Sequence, residues 1–477
     1  MSNYTISQAL NKNRVFILQK SELEKRFDPQ FYKQEYKDNL EKIKRINHKR
    51  LGEVVKFSTE TWNQKDFFED TFPYIEISEI DTVSGEIQNI VQVEKEKAAS
   101  RAKMIVRESD IIISTTRPNR GAISLIRKEQ DFSIASTGFS VIRNITNPEI
   151  DREYLFTILR QQIILKQFEQ RSSGGNYPAI TQEELCSVTI PLPEKETQKK
   201  IVKVFNGCFN QKRKNEAEAE KLLSSIDDYL LNELGIKLPE PPENTLKSRL
   251  FNVSLNELSG SRFDPHFHQE KFKQLDKNLL KGKFPLSNLK KQAVLITSGA
   301  TPLSKGDAYT EVKNLGVPFI RSGEIGNIDF DECIYIKPEI HSSMLKSSQL
   351  KKGDLLIAIV GATIGEVGIY DHDREGNINQ AIALVRLNNE LLPVFAKDFF
   401  KSSIGSFILD RAKRPVARAN INLDEIGILP IPVPPLVKQK EIAEQITGIR
   451  QQAHKLKDQT KELLKKASEE IEEILLS

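Results

Sequence analysis

An α+β protein with two similar globular domains, each followed by a long α-helix, the two helices pairing as an antiparallel coiled coil, is the fold class this sequence predicts. Three observations carry it: collinear internal repeats, a strand-rich then helical pattern within each repeat, and an apolar heptad stripe after each one. Arg26-Phe27-Asp28-Pro29 recurs as Arg262-Phe263-Asp264-Pro265, an offset of 236 (262 less 26). Pro73-Tyr74-Ile75 ahead of Ser78-Glu79-Ile80 is echoed by Pro318-Phe319-Ile320 ahead of Gly323-Glu324-Ile325, at 245 (318 less 73). Ser109-Asp110-Ile111-Ile112-Ile113-Ser114 matches Gly353-Asp354-Leu355-Leu356-Ile357-Ala358 at 244 (353 less 109). Ile190-Pro191-Leu192-Pro193, with Gln198 and Ile201 behind it, matches Ile431-Pro432-Val433-Pro434, with Gln439 and Ile442 behind it, at 241 (431 less 190). Order is kept while the offset drifts, so a domain was duplicated and its loops diverged. The period is far longer than the roughly 20 to 50 residues of stacking repeats, so each copy is a domain in its own right.

Within each copy several short apolar runs bounded by polar residues read as strands. A helix follows, over 152–170 in the first copy and more weakly over 393–410 in the second, then a loop and a final strand ending at the double-proline signature. Strands followed by helices give an α+β domain. Beyond the signature the period changes. Ile442, Ile446, Ile449, Ala453, Leu456, Thr460, Leu463, Ala467 and Ile474 follow steps of four and three, with Glu470 the interruption. The first copy has Ile201, Phe205, Cys208, Ala219, Leu222, Ile226 and Tyr229 in the same register, with Lys212 and Asn215 leaving a polar gap. Helices over 194–234 and 437–476 would each extend roughly 60 Å at about 1.5 Å per residue. The seam assigns pairing to Ile201, Phe205, Leu222, Ile226, Ile442, Ile446, Ile449, Leu456 and Leu463. The organisation is then an N-terminal segment 1–20, a first domain 21–193, its helix 194–235, a proline-rich linker 236–250, a second domain 251–435 and its helix 436–477.

The 477 residues, 38% hydrophobic and 29% charged, hold no apolar run long enough to cross a bilayer. Met1 to Asn13 lacks the pattern of an export signal, which points to the cytoplasm. Cys186, Cys208 and Cys333 are too scattered for a disulfide framework or a zinc site. A net charge of +4 leaves any nucleic-acid contact to local patches such as Lys42 to Arg50, Lys281 to Lys291 and Arg411 to Arg418.

Catalytic motifs are missing. Neither Pro241-Pro242-Glu243-Asn244 nor Val433-Pro434-Pro435-Leu436 is the Asn-Pro-Pro-aromatic loop of an adenine methylase, and Gly361-Ala362-Thr363-Ile364-Gly365 continues into Glu366 rather than a P-loop lysine. Asp307, Glu311 and Lys313 have no counterpart in the first copy, as a nuclease centre would require. Asp264, His266 and His268 stand where the first copy has Asp28, Gln30 and Tyr32, which argues against metal ligation. A non-catalytic chain is expected, with a coiled-coil protein scaffold and a stand-alone nuclease as the competing readings.

The duplicated domain, each copy closed by a proline-rich strand end, Gln, Ile and a long helix, resembles the specificity subunit of Type I restriction-modification systems over most of the chain. That resemblance implies two target-recognition domains, each reading half of a split, asymmetric site on double-stranded DNA. It implies helices that space the halves and dock modification (methyltransferase) subunits, two in number, and restriction subunits acting as an ATP-dependent nuclease. Cofactors would be none in this chain; S-adenosylmethionine, ATP and Mg2+ would serve the partners. Residues 1–20 and the Arg-Phe-Asp-Pro segments receive no role.

Base readout belongs to loops that differ between the copies, whereas lysine and arginine on phosphates give affinity without sequence. Thr115 to Gly121 supplies Arg117, Asn119 and Arg120, groups able to pair with guanine and adenine, and its counterpart Ile359 to Gly365 supplies Thr363. The loops between helix and final strand add Arg171, Asn176 and Tyr177 in one copy and Arg411, Lys413, Arg414, Arg418 and Asn420 in the other. Lys42, Lys44 and Arg45 are candidates for phosphate contact.

Overall fold

A computed structural model describes residues 15–18, 20, 23–24, 26–63, 68, 70–241, 245, 250–258, 262–303, 307–414 and 419–476. It forms two compact units, Met1–Ala217 with Lys457–Ser477, and Glu218–Leu456, so each long helix starts in one unit and ends in the other.

In the first unit the strands are β1 (His48–Arg50), β2 (Val55–Phe57), β3 (Thr71–Ile75), β4 (Val91–Glu94), β5 (Ala102–Ile105), β6 (Ile111–Ser114), β7 (Ile123–Leu125), β8 (Ile134–Ser136), β9 (Phe139–Ile145) and β10 (Thr189–Pro191). They make an antiparallel sheet β2-β9-β6-β7, a second sheet β4-β3-β8-β5 with β3 and β8 parallel, and the pair β1-β10. The continuous apolar run of β6 follows from burial on both faces. Ile111 and Ile113 join the core with Tyr154, Leu155 and Ile158 of helix Arg152–Leu159, while Ile112, pointing the other way as strand alternation requires, joins Ile75, Ala135 and Val141. Each such side chain stabilises the fold by about 1.5–3 kcal/mol.

Asp110, 1% exposed, precedes this strand and is held by Arg143 at 2.8 Å and by the Arg107 amide at 2.9 Å. Its counterpart Asp354, also 1% exposed, is held by Arg386 at 2.7 Å and by the Lys351 amide at 2.7 Å. A buried carboxylate needs such partners, so the acid repeated in both copies is structural. The preceding residue is left-handed in both, Ser109 at φ 72° and Gly353 at φ 92°. A left-handed serine is strained where glycine is not. Ser109→Gly is therefore expected to raise unfolding free energy by about 0.5–1 kcal/mol; a lower denaturation midpoint would show that Ser109 makes a compensating contact.

In the second unit the strands are β11 (Leu286–Asn288), β12 (Ala293–Ser298), β13 (Tyr309–Thr310), β14 (Val317–Ile320), β15 (Ile334–Ile336), β16 (Asp354–Ala358), β17 (Val367–Tyr370), β18 (Asn377–Ile378), β19 (Ile382–Leu387) and β20 (Pro430–Pro432). Sheet β12-β19-β16-β17 and pair β11-β20 repeat the first unit strand for strand. The other sheet, β13-β15-β14-β18, keeps the parallel pair but carries its extra strand on the opposite edge. Divergence in strand order thus falls in this second sheet.

The signature glutamines explain themselves. Gln198, 1% exposed, accepts from the Asp151 amide at 2.9 Å and donates to the carbonyls of Glu149 and Pro193 at 2.8 and 2.9 Å. Gln439, fully buried, repeats all three bonds with Leu392, Glu390 and Pro434 at 2.8, 2.9 and 2.8 Å. Each ties the start of a long helix to the globular body.

The long helices are Lys195–Leu234 and Leu436–Leu476, of 40 and 41 residues. In the first unit Cys208 Sγ lies 3.7 Å from the Leu463 carbonyl and Asn215 donates to Thr460 Oγ1 at 3.1 Å, so numbering falls on one helix as it rises on the other and the pair is antiparallel. Ile201 and Phe205 share a core there with Ile471 and Leu475. In the second unit Ile442 and Ile446 share a core with Leu230, Leu231 and Leu234, and Ile226 packs against it, while Lys438 pairs with Glu233 at 2.7 Å. Leu222, Ile449, Leu456 and Leu463 are half-buried on the same stripes. The stripes also cover their own domains: Phe205 meets Phe156 with centroids 5.9 Å apart, and Ile442 lies in the core with Phe395 and Phe399. The polar gap is a contact rather than a break. Lys212 reaches Asp81 at 3.2 Å and Glu216 at 3.1 Å, fixing the 81–86 loop to the helix.

Candidate nucleic-acid interface

The loops singled out in the sequence are equivalent in backbone as well as position. After β6 and after β16 the chain turns at a left-handed residue, Arg117 at φ 48° and Gly361 at φ 91°, and again at Gly121 and Gly365, at φ 78° and 91°. Thr115 N donates to Gly138 O at 2.8 Å, as Ile359 N does to Ala381 O at 2.8 Å. The second loops are stapled on alike: Ile180 N to Thr115 O and Ile421 N to Ile359 O, both 2.9 Å. Ser173 faces Ala179, and Arg414 faces Asn420, as isolated bridges.

In the first unit this brings Arg117, Asn176 and Tyr177 together. The Arg117 amide donates to Pro178 O at 2.7 Å, its guanidinium donates to Asn176 O at 2.7 Å, and Cζ stands 4.4 Å from the Tyr177 ring centroid. Tyr177 is 71% exposed. An ordered guanidinium over an exposed aromatic at the tip of a Gly174-Gly175 loop is a surface able to meet a base edge or face. Asn119 and Arg120 do not join it; they line a cleft of about 320 Å3 beside Arg160, Cys208 and Ser468. Burial pushes the Arg160 guanidinium down to about 10 while it donates to Ser84 O at 2.6 Å, a clamp on the loop behind the site.

Two arginines proposed from sequence are structural. Arg171 is 9% exposed and its guanidinium meets Glu184 at 2.7 Å, because it ends helix Gln162–Arg171 facing inward. Arg411 holds both carboxylate oxygens of Asp276 at 2.6 and 2.7 Å and stacks 4.3 Å from Phe267. Both guanidiniums are committed to these intramolecular partners. Arg414 is 47% exposed, with Nε on Glu425 at 2.9 Å; Lys413 lies 3.5 Å from Asp410; Thr363 and Asn420 are half-buried at the same lip. Arg418 lies outside the described residues. Lys42, Lys44 and Arg45 are exposed, but helix Gln34–Lys44 runs from Phe31, beside Gln170, past Asn39, beside Ile163, which carries them away from the loops. Lys42 stands 3.8 Å from Glu472.

Sequence reasoning missed two things. Thr301 and Gln380 are exposed and hydrogen-bonded to each other one residue from Ala381, at the second unit's lip, yet nothing in their sequence neighbourhood marks them. The Arg-Phe-Asp-Pro segments also have a role. Arg26 is held by Asp28 at 2.8 Å and donates to the carbonyls of Arg171 and Ser172 at 2.8 and 3.4 Å, capping the helix from which the second loop springs. Arg262 does the same to Ala412 and Lys413 at 2.8 and 2.9 Å. Unpaired carbonyls at a helix end favour such donors. His268 takes the place of Tyr32 in holding the carbonyl of that arginine, so it is a structural residue.

Among the described residues no helix is long and apolar enough to cross a membrane. A family model described as the Type I restriction modification DNA specificity domain matches residues 43–222 and 293–466. The chain is 24% identical over 387 residues to the MjaVIII specificity subunit of Methanocaldococcus jannaschii, covering 79% of this chain and 80% of that one. It is 24% identical over 411 residues to the MjaX specificity subunit of the same organism, covering 84% and 86%. To the EcoBI specificity subunit of Escherichia coli it is 28% identical over 163 residues, 34% of each chain. A chain solved in a study of complex assembly and conformational transition of the type I R-M system shares the fold, with TM-score 0.55 and 23% identity over 90% of this chain and 96% of that one. With two copies of the domain model spanning most of its length, the chain belongs to the Type I restriction-modification DNA specificity family.

Proposed function

We propose that the chain is the non-catalytic specificity subunit of a Type I restriction-modification complex. Each unit reads one half of a bipartite, asymmetric double-stranded DNA site, and the chain directs adenine methylation and restriction by partner subunits. The observation that carries this reading is one loop scaffold built twice with different side chains: Arg117, Asn176 and Tyr177 on one, Thr363, Arg414 and Asn420 on the other. Shared left-handed turns and backbone staples carrying divergent side chains suit two readers of different sequences. S-adenosylmethionine, ATP and Mg2+ belong to the partners in this reading, and the chain acts in the cytoplasm. Single-molecule methylation mapping of a host with and without the gene is expected to reveal one gapped motif, methylated on both strands, that disappears with the gene. Unchanged methylation with genuine methyltransferase partners expressed would sink the proposal.

A further inference from the structure

Three residues of each Arg-Phe-Asp-Pro turn serve the turn itself. Arg26 and Arg262 hold helix-end carbonyls, Asp28 and Asp264 accept from the amides of Phe31 and Phe267 at 3.1 Å each, and proline opens the turn. The phenylalanine does none of this. Phe27 is 85% exposed and Phe263 81%. A single exposed apolar residue is ordinary, but the same ring standing free at the equivalent point of two diverged domains is not. The approach to each turn repeats too. Val15-Phe16 and Glu22-Leu23 recur as Leu250-Phe251 and Glu257-Leu258 at an offset of 235 (250 less 15), and Val15 and Leu250 are both exposed, at 44% and 73%.

The DNA-facing lips differ between the units, with Arg117 opposite Gly361 and Ser173 opposite Arg414. Those differences follow if the half-sites differ. A surface kept alike in both units must meet something that is alike for both. Bases of an asymmetric site are not alike, and phosphates, which are, take cations rather than a phenyl ring. What fits is one protein present twice. We infer that Phe27 and Phe263 are equivalent docking points, each ring entering an apolar pocket on one of two copies of the methyltransferase subunit; this rests on the function proposed above. Buried aromatics anchor interfaces, and a turn braced by arginine and aspartate presents the ring with little left to order on binding.

The test uses the full chain as wild type, Phe27→Ala, Phe263→Ala and the double variant. Methyltransferase affinity and stoichiometry are read by native mass spectrometry and titration, DNA affinity of the chain alone by fluorescence anisotropy, and stability by thermal melting. Each single variant is expected to bind one of its two methyltransferase copies at least about tenfold more weakly, and the double variant both. Melting temperature and DNA affinity of the isolated chain stay at the wild-type values. Variants that recruit two methyltransferases as tightly as wild type overturn the inference. Weakened DNA affinity with intact recruitment makes the rings DNA wedges and also overturns it. A lowered melting temperature would show that the rings serve the fold instead. A wild-type chain that recruits no methyltransferase overturns the proposed function itself, an outcome separate from equal recruitment by wild type and variants.

Discussion

Arg117→Gly is expected to weaken discrimination at one half of the bipartite site by about 1–3 kcal/mol for each base that Arg117 reads, while leaving the other half untouched and the fold at least as stable. The two effects have one cause. Arg117 occupies a left-handed turn at φ 48°, and the second unit puts Gly361 at the equivalent point. A non-glycine residue there is strained by roughly 1–3 kcal/mol, and such strain persists where the side chain is needed. Here the guanidinium is held by Asn176 O and stacked on Tyr177, at the exposed tip of both loops. Tyr177→Ala removes the stacking partner without touching the strained backbone, so it should impair the same half-site with no gain in melting temperature. Methylation mapping beside thermal melting separates the two. If Arg117→Gly methylates the parental motif at full efficiency, Arg117 is not a reader; if it melts markedly lower, the turn is not strained.

The repeat made much of this legible. Loops placed opposite each other by counting residues, 115–121 against 359–365, have the same left-handed turns and the same amide-to-carbonyl staples. The helix stripes likewise follow from steps of three and four. What stayed hidden depends on partners distant in sequence. Arg171 reads as a loop cation until Glu184 is seen 2.7 Å away, and Arg411 until Asp276, from a different helix, accepts two of its hydrogen bonds. The carbonyls held by Arg26 lie 145 and 146 residues along the chain, so no local pattern could give the Arg-Phe-Asp-Pro turns a role. The second sheet of each unit was equally opaque, since β5 and β13 occupy opposite edges and are too short for a periodic signal.

Lengthening both long helices by one heptad is expected to shift the gap between the half-sites while preserving both of them. Seven residues inserted after Leu222 and seven within Gln452 to Thr460 keep the apolar register of each stripe, because the seam repeats every seven residues. The anchors at the helix ends are left alone. Gln198 and Gln439 still tie each helix start to its domain, and Ile201 with Ile471, like Leu230 with Ile446, still share a core. The added length is about 10 Å at roughly 1.5 Å per residue, or about three base pairs at roughly 3.4 Å each. Three base pairs also turn one half-site around the duplex, so the paired insertion reduces efficiency, and the surviving methylation carries the information. Seven residues placed in one helix alone leave its partner short, break the facing contacts and should abolish methylation. A paired insertion that methylates the parental motif with its parental gap would show that the helices do not measure distance, and would leave them only the docking of partner subunits.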